Sequence, residues 1–309
     1  FYQCKNLTSV LLPEGLKEVG NSAFNGCNIE NIVMPESLVK VGSSAFANNA
    51  ALETAVVKGK TEFAQKTFSR CSNLMGVEFH NVINTLPAYM FENCVKLQNV
   101  QFPMKVKTLG SYIFSGCTLL ENVRIPDTVR DIGERAFIYC KSLRTIVIPE
   151  GVTEIKKYTF YGCEGLVNIT IPETVKIIGL CAFDECISLV KIVLPKQMTK
   201  IDAYAFEQCT ALQKIALPEG IPAIEASSFR NCVSLQAVYI PASVKKVNSE
   251  AFRGCKSLSY VYFGGSEEMW NNIVISTDAT SSGPYSGNKC LTNSIMNRYW
   301  NQTAASIGY

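Results

Sequence analysis

The sequence predicts a right-handed solenoid of about twelve 23-residue repeats, with short parallel strands and short helical turns, closed by a C-terminal cap. Three observations predict it. Phe1, Phe24, Phe46, Phe68, Phe91, Phe114, Phe137, Phe160, Phe183, Phe206, Phe229 and Phe252 follow one another at intervals of 22 or 23 residues. A cysteine stands three residues after the phenylalanine in eleven of these units. The chain of 309 residues is 47% apolar and only 18% charged, yet no window approaches the roughly 18 consecutive apolar residues of a membrane span. A fixed period of this length means a repeat array rather than two compact domains.

Aligned on the phenylalanine, the unit reads A-F-x-x-C-x-x-L-x-x-I-x-I-P-x-x-V-x-x-I. Ala136, Phe137, Cys140, Leu143, Ile146, Ile148, Pro149, Val152 and Ile155 make one copy. The L-x-x-I-x-I segment ends in period-2 alternation, so it reads as a short strand with its apolar residues turned inward. Proline ends the strand because it cannot donate to a ladder. A second short extended piece follows at V-x-x-I. Gly20, Gly42, Gly110, Gly133 and Gly179 then loosen the chain. The A-F-x-x-C segment has apolar residues at near-helical spacing and is expected to form one tight helical turn. No unit buries its apolar side alone, so neighbours must stack into one core.

Departures from the pattern are local. Asn49 replaces the cysteine of the third unit, and Lys58, His80 and Gly264 replace the proline of the third, fourth and last. The second unit lacks one residue between Cys27 and Ile29, and the third lacks one after Lys58, where Phe63 takes the place of the late isoleucine. The solenoid is assigned to residues 1–264 and the cap to residues 265–309. Ser266 followed by Glu267 and Glu268 marks a helix start. Met269, Trp270, Ile273 and Ile275 are expected to cover the apolar end of the stack. Thr277 to Asn288 reads as a polar loop. Residues 289–309, with Leu291, Ile295, Tyr299 and Trp300, read as a final strand or helix. The chain opens on Phe1, the anchor of a unit whose first half is missing, so an upstream portion is expected.

Composition excludes several classes of function. The net charge of +3 is not the footprint of a nucleic-acid binder. The only histidine, His80, stands where a proline would end a strand, which leaves little acid–base chemistry near neutral pH. No nucleophile elbow, H-E-x-x-H, P-loop or dinucleotide fingerprint occurs. Eleven of the thirteen cysteines hold one repeat position about 23 residues apart, without the clustering that zinc requires. They are expected to be small buried hydrophobes, reduced and inert. Cys181 and Cys290 lie outside that column, with Cys181 partly exposed. No catalytic residue, metal or cofactor is expected.

Outward strand positions are the candidate binding surface. One row carries Leu11, Val33, Val56, Glu78, Gln101, Arg124, Val147, Thr170, Val193, Ala216, Tyr239 and Tyr262. Two residues earlier another row ends in Lys191, Lys214, Ala237 and Tyr260. Tyr239, Tyr260 and Tyr262 converge at the C-terminal end of the sheet and are the candidate hot spot, because aromatic anchors bury large area at low entropy cost. Lys191, Lys214 and Arg124 are placed to steer an acidic partner. Asn6-Leu7-Thr8, Asn168-Ile169-Thr170 and Asn301-Gln302-Thr303 match the glycosylation acceptor pattern.

The repeat resembles the BspA-like, or treponemal-type, leucine-rich repeat family over about 260 residues. The resemblance implies a leucine-rich repeat solenoid, with the G-S-E-E-x-W stretch at Gly265 to Trp270 closing it. It also implies a secreted or surface-attached bacterial protein, adhesin-like, whose outer sheet face takes a protein or glycan of host matrix or cell surface. The alternative is a structural spacer or stalk presenting another domain. Neither nucleic-acid binding nor membrane insertion is expected.

Overall fold

The computed structural model describes residues 1–276, 287–292 and 296–308. The polar loop predicted from Thr277 lies outside the described residues over 277–286, as does Ile295. Contacts divide the chain into two compact units, Phe1–Gly151 and Val152–Tyr309. Both are parallel β-solenoids.

In the first unit, strands Asn31–Met34, Thr54–Val57, Gly76–Phe79 and Asn99–Gln101 pair in consecutive order, and Asn122–Val123 pairs with Thr145–Val147. A second face of two-residue strands follows the prolines, with Glu18–Val19, Lys40–Val41 and Glu62–Phe63 in one ladder and Thr85–Leu86, Thr108–Leu109 and Asp131–Ile132 in another. The registers advance by one repeat, as Lys40↔Glu62 and Thr85↔Thr108 show. The second unit repeats this with Lys214–Ala216, Ala237–Ile240 and Tyr260–Phe263 on the first face, and with Glu154–Ile155, Ile177–Ile178 and Lys200–Ile201, then Ala223–Ile224 and Lys246–Val247, on the second.

The phenylalanines form the spine of each core. Their rings stack at centroid distances of 5.4 Å for Phe1–Phe24, 5.3 Å for Phe114–Phe137 and 5.5 Å for Phe206–Phe229, with interplanar angles of 4°, 21° and 4°. Offset stacks of this kind add about 0.5–1.5 kcal/mol per pair beyond burial.

The predicted helical turn is absent. Residues two before and two after the phenylalanine sit in the left-handed region, as with Arg135 at φ 57° and Tyr139 at φ 60° around Phe137. A helix would spend every N–H inside its own coil. Here alternate N–H groups are turned along the stack to the next coil: Tyr112 donates to Glu134 O at 2.9 Å, Phe114 to Ala136 O at 2.8 Å and Gly116 to Ile138 O at 2.8 Å. The intervening groups close tight turns, with Ser115 donating to Tyr112 O and Cys117 to Phe114 O, both at 3.1 Å. Each left-handed non-glycine residue costs about 1–2 kcal/mol, and the inter-coil ladder offsets that cost.

The glycines expected to loosen the chain permit close approach instead. A Cβ at Gly110 would meet Ala88 N at 2.3 Å, and one at Gly133 would meet Ser111 N at 2.3 Å. At the equivalent position Gly42, Ala64 and Gly110 donate their N–H to the preceding coil, at 2.8, 2.9 and 2.8 Å. Pro87 stands at that position without an N–H. The ladder pauses there: Glu62–Phe63 and Thr85–Leu86 do not pair, and a groove of about 690 Å³ opens between Lys60 and Thr85.

The cysteines do more than fill space. Cys94 donates its thiol to Phe68 O at 3.1 Å, Cys140 to Phe114 O at 3.1 Å and Cys209 to Phe183 O at 3.2 Å, each reaching back one coil. All thirteen are free thiols. Burial pushes Cys71 up to about 12 and raises Cys94, Cys117 and Cys140 well above the usual thiol range, so the thiolate form is suppressed. Asn49 does the same work where the cysteine is missing. Its Nδ2 donates to Phe24 O at 2.8 Å, and its Oδ1 accepts from Ile29 N at 3.2 Å. Cys181, expected to be partly exposed, is buried in a left-handed turn at φ 51°.

The tail extends the second unit by one irregular coil. Helix Glu267–Asn271 begins on Ser266, whose side chain accepts from Met269 N at 3.3 Å, as predicted. Trp270 and Ile273 are buried, with Trp270 packed edge-on to Phe263 at 5.4 Å, while Met269 stays exposed. Val274–Ile275 pairs with Lys246–Val247, and Asn297–Tyr299 pairs with Tyr260–Phe263. Cys290, read from sequence as an outlier, continues the thiol column with Sγ 3.6 Å from Phe252 O. Asn288 Oδ1 accepts from Phe252 N at 3.1 Å, supplying the acceptor that a following coil would offer.

The thiol column makes a stability prediction. Cys140→Ala should destabilise the chain by about 1–3 kcal/mol by removing one of the two hydrogen bonds to the Phe114 carbonyl and leaving a cavity. Asn49→Ala should cost more, because it strands Ile29 N as well as removing a hydrogen bond to Phe24 O. Urea unfolding midpoints of the two variants check the order, and an Asn49→Ala midpoint above that of Cys140→Ala contradicts it.

Candidate functional site

Strand alternation puts two rows of side chains on the outer face of the second unit's sheet. Register aligns Ala216↔Tyr239, Tyr239↔Tyr262 and Tyr262↔Tyr299 in one row, and Lys214↔Ala237, Ala237↔Tyr260 and Tyr260↔Asn297 in the other. The predicted tyrosines therefore do converge. Tyr262 stacks on Tyr299 at 5.0 Å and 14°, and on Tyr260 at 6.5 Å and 24°. Tyr260 and Tyr299 remain 41% and 42% exposed. Burial raises the Tyr262 hydroxyl, and the neighbouring Tyr299 and Tyr260 add to the shift, so Tyr262 keeps its proton at physiological pH.

Tyr239 departs from the expectation. It lies on the outer row but is only 1% exposed. It forms a buried cluster with Ala216 and Ala237, covered by Tyr262 and Ala304. Its hydroxyl donates to Glu219 Oε1, and burial together with that bond pushes its pKa up. The cover comes from the tail, which a reading of the repeats alone does not place. Tyr239 also explains a lapse in the repeat. A Cβ at Gly264 would meet the Tyr239 hydroxyl at 2.6 Å and Ala242 N at 3.0 Å, so the proline of other units gives way to glycine.

The basic residues separate into two places. Lys191 and Lys214 are exposed and line a groove of about 220 Å³ with Val190, Gln213 and Gly308. Arg124 belongs to the first unit, on an open groove of about 450 Å³ shared with Asp127, Thr145 and Val147. Sequence reasoning missed Tyr299, Ala304 and Glu219. Tyr299 carried a usable signal, since it extends a column of tyrosines, but the sequence before it departs from the repeat and hides the register.

One buried carboxyl lies away from this face. Asp184 follows Phe183 on the turn side, and its Oδ1 has no hydrogen-bond partner among the described residues. Burial foremost, then Glu207 and Glu185, push it up to about 7, against the opposing pull of Arg230. Arg230 is held by Glu207 and Glu250, each at 3.3 Å. His80 sits 3.4 Å from Glu78 with both side chains exposed. Among the described residues, no group of three or more His, Cys, Asp or Glu is placed to hold a metal ion. No helix among them is long and apolar enough to cross a membrane.

A family model described as a BspA type leucine rich repeat region matches residues 1–121, 56–167 and 153–277. The chain belongs to this family. Solved structures agree. A leucine-rich repeat protein from Bacteroides ovatus is similar at 29% identity and a TM-score of 0.66, over 85% of this chain and 73% of that one. A leucine rich cell surface protein from Faecalibacterium prausnitzii is 25% identical, with a TM-score of 0.46 over 87% of each chain. The pneumococcal vaccine antigen PcpA shares the fold at 17% identity and a TM-score of 0.52, over 96% of this chain and 75% of that one. No match was found among curated proteins.

Two predictions follow from these neighbourhoods. Gly264→Ala should lower the melting temperature, and Tyr239→Phe in the same chain should restore part of it by removing the clashing oxygen; purely additive losses contradict the contact. For Asp184, the folded state holds its proton up to about pH 7 while the unfolded chain releases it near the ordinary carboxylate range of about 3.9. That stability is complete below the unfolded pKa and is lost as pH rises through the folded one. Melting temperature should therefore fall between about pH 4 and 8, and Asp184→Asn should flatten the fall. Parallel profiles for the two proteins would overturn the assignment.

Proposed function

We propose that this BspA-type repeat protein is a non-enzymatic interaction scaffold, secreted or held at a cell surface and adhesin-like, that binds a protein or glycan on the outer face of its parallel sheet. The observation that carries this reading is the partly exposed tyrosine stack of Tyr260, Tyr262 and Tyr299, on the same face as Lys191 and Lys214. Rings that already stack on one another lose little freedom when a partner covers them, and the nearby ammonium groups favour an acidic partner. A rigid sheet presents these groups at about 4.8 Å per coil, which suits an extended or repetitive ligand. Family membership supports the scaffold role, as fold alone does not select a ligand.

The test is a binding screen of the intact chain against matrix proteins and glycans, followed by substitution. Tyr260→Ala with Tyr262→Ala should weaken the captured ligand about tenfold or more, as loss of an aromatic anchor does. Lys191→Ala with Lys214→Ala should weaken it less and reduce its sensitivity to salt. Tyr239 is left intact, because truncating a buried ring opens a cavity. Native melting with unchanged affinity in the tyrosine pair would refute the proposed face.

A further inference from the structure

Outward side chains of the sheet are open to solvent in most coils. Leu11, Val147 and Val193 are 90%, 60% and 59% exposed. The same row at Ala216 and Tyr239 is buried, at 9% and 1%, and Ala237 beside them at 5%. What covers them is the short 3-10 turn Ala304–Ile307, through Ala304.

This cover is attached unlike any other part of the fold. Within each unit, coils are bonded to their neighbours through backbone hydrogen bonds, whereas the hydrogen bonds of residues 303–308 among the described residues stay within that segment. Ser306 N donates to Thr303 O at 2.9 Å, Thr303 N to Ser306 Oγ at 3.2 Å and Gly308 N to Ala305 O at 3.0 Å. Among the described residues no hydrogen bond joins 303–308 to the sheet. The last backbone anchors come earlier, at Asn301 N to Gly265 O and Gln302 N to Phe263 O, both 2.9 Å. Asn301 and Gly308 bracket the turn in left-handed conformations, at φ 55° and 76°. The turn is therefore held on that face by apolar contact through Ala304. It has the character of a resident ligand.

We propose that the outer face at Ala216, Ala237 and Tyr239 is a peptide-docking site which the chain fills with its own residues 301–308, and that a partner peptide bearing a compact turn of small residues binds there in exchange. This deepens the outer-face reading and rests on it. Small side chains suit the site because the resident segment meets the Ala216, Ala237 and Tyr239 cluster through an alanine, Ala304. Tethering gives the resident segment an effective concentration in the mM range, which a free partner must overcome.

The experiment uses the full chain with Ala304→Glu, which places a charge against the apolar floor and expels the turn. The probe is a fluorescein-labelled synthetic peptide of residues 297–308, titrated by anisotropy. The second readout is nitration of Tyr239, followed by mass spectrometry. The variant should keep its circular dichroism, nitrate faster at Tyr239, and bind the peptide at least about tenfold more tightly than the unaltered chain. Adding Ala216→Arg to the variant should abolish that binding, as should the Ala304→Glu change in the peptide itself. Equal affinity of both chains overturns the proposal. So does faster nitration without peptide binding, and so does unchanged nitration, which means that Ala304 does not hold the cover. Each of these outcomes leaves the tyrosine-pair test above standing on its own result.

Discussion

Within each unit of this protein every coil must hydrogen-bond to the next, and that requirement governs the rest of the structure. On the strand faces it is met by ordinary parallel pairing. On the phenylalanine side it is met by an alternation of right- and left-handed residues, which aims every second N–H along the stack. The alternation keeps the coil short enough to close in 23 residues and sets the phenylalanine rings at stacking distance. It also brings each thiol beneath a carbonyl of the preceding coil, so that the buried polar groups of the turn are paired. The cost is backbone strain at two positions per coil. A helix would avoid that strain but would leave neighbouring coils without hydrogen bonds on this side.

Departures from the repeat become intelligible as responses to this constraint. Asn49 keeps the bond that a cysteine would make and adds an acceptor for Ile29, beside the shortened stretch between Cys27 and Ile29. Pro87 breaks the second-face ladder because it brings no donor. Gly264 yields to the Tyr239 hydroxyl. Asn288 ends the array by offering its amide oxygen to Phe252, where a further coil would have offered a carbonyl. Asp184 shows the limit of the design: its carboxyl is buried, with like charges beside it and one oxygen unpaired among the described residues, so it holds a proton near neutral pH.

The outer face carries little of this burden. Its side chains are not needed for coil-to-coil bonding, so they can vary, and they do: aliphatic, polar and charged residues such as Val33, Gln101 and Arg124 in the first unit, with lysine and tyrosine joining them in the second. That freedom is what lets a repeat scaffold of the BspA type present a distinct surface without changing its core. The tail uses the same freedom, adding one strand and then lying back across alanines and a tyrosine that would otherwise face solvent.

Much of this was legible from the residues. The period located every coil, because each needs one Phe, one Cys and three inward apolar residues to build a shared core. The strands, the Ser266 cap and the convergence of Tyr260 with Tyr262 followed from alternation and register. The turn type was legible too, in the Gly or Asn two residues after the phenylalanine at Gly26, Asn48, Asn93, Gly116, Gly162, Asn231 and Gly254, yet apolar spacing alone reads as a helix. What the sequence could not settle was anything that depends on a second coil or on the tail. The thiol bonds, the return of Cys290 to the column, the burial of Tyr239 and the cover by Ala304 arise only when segments distant in the chain meet. Local periodicity sets which way a side chain points, whereas only packing decides what it meets there.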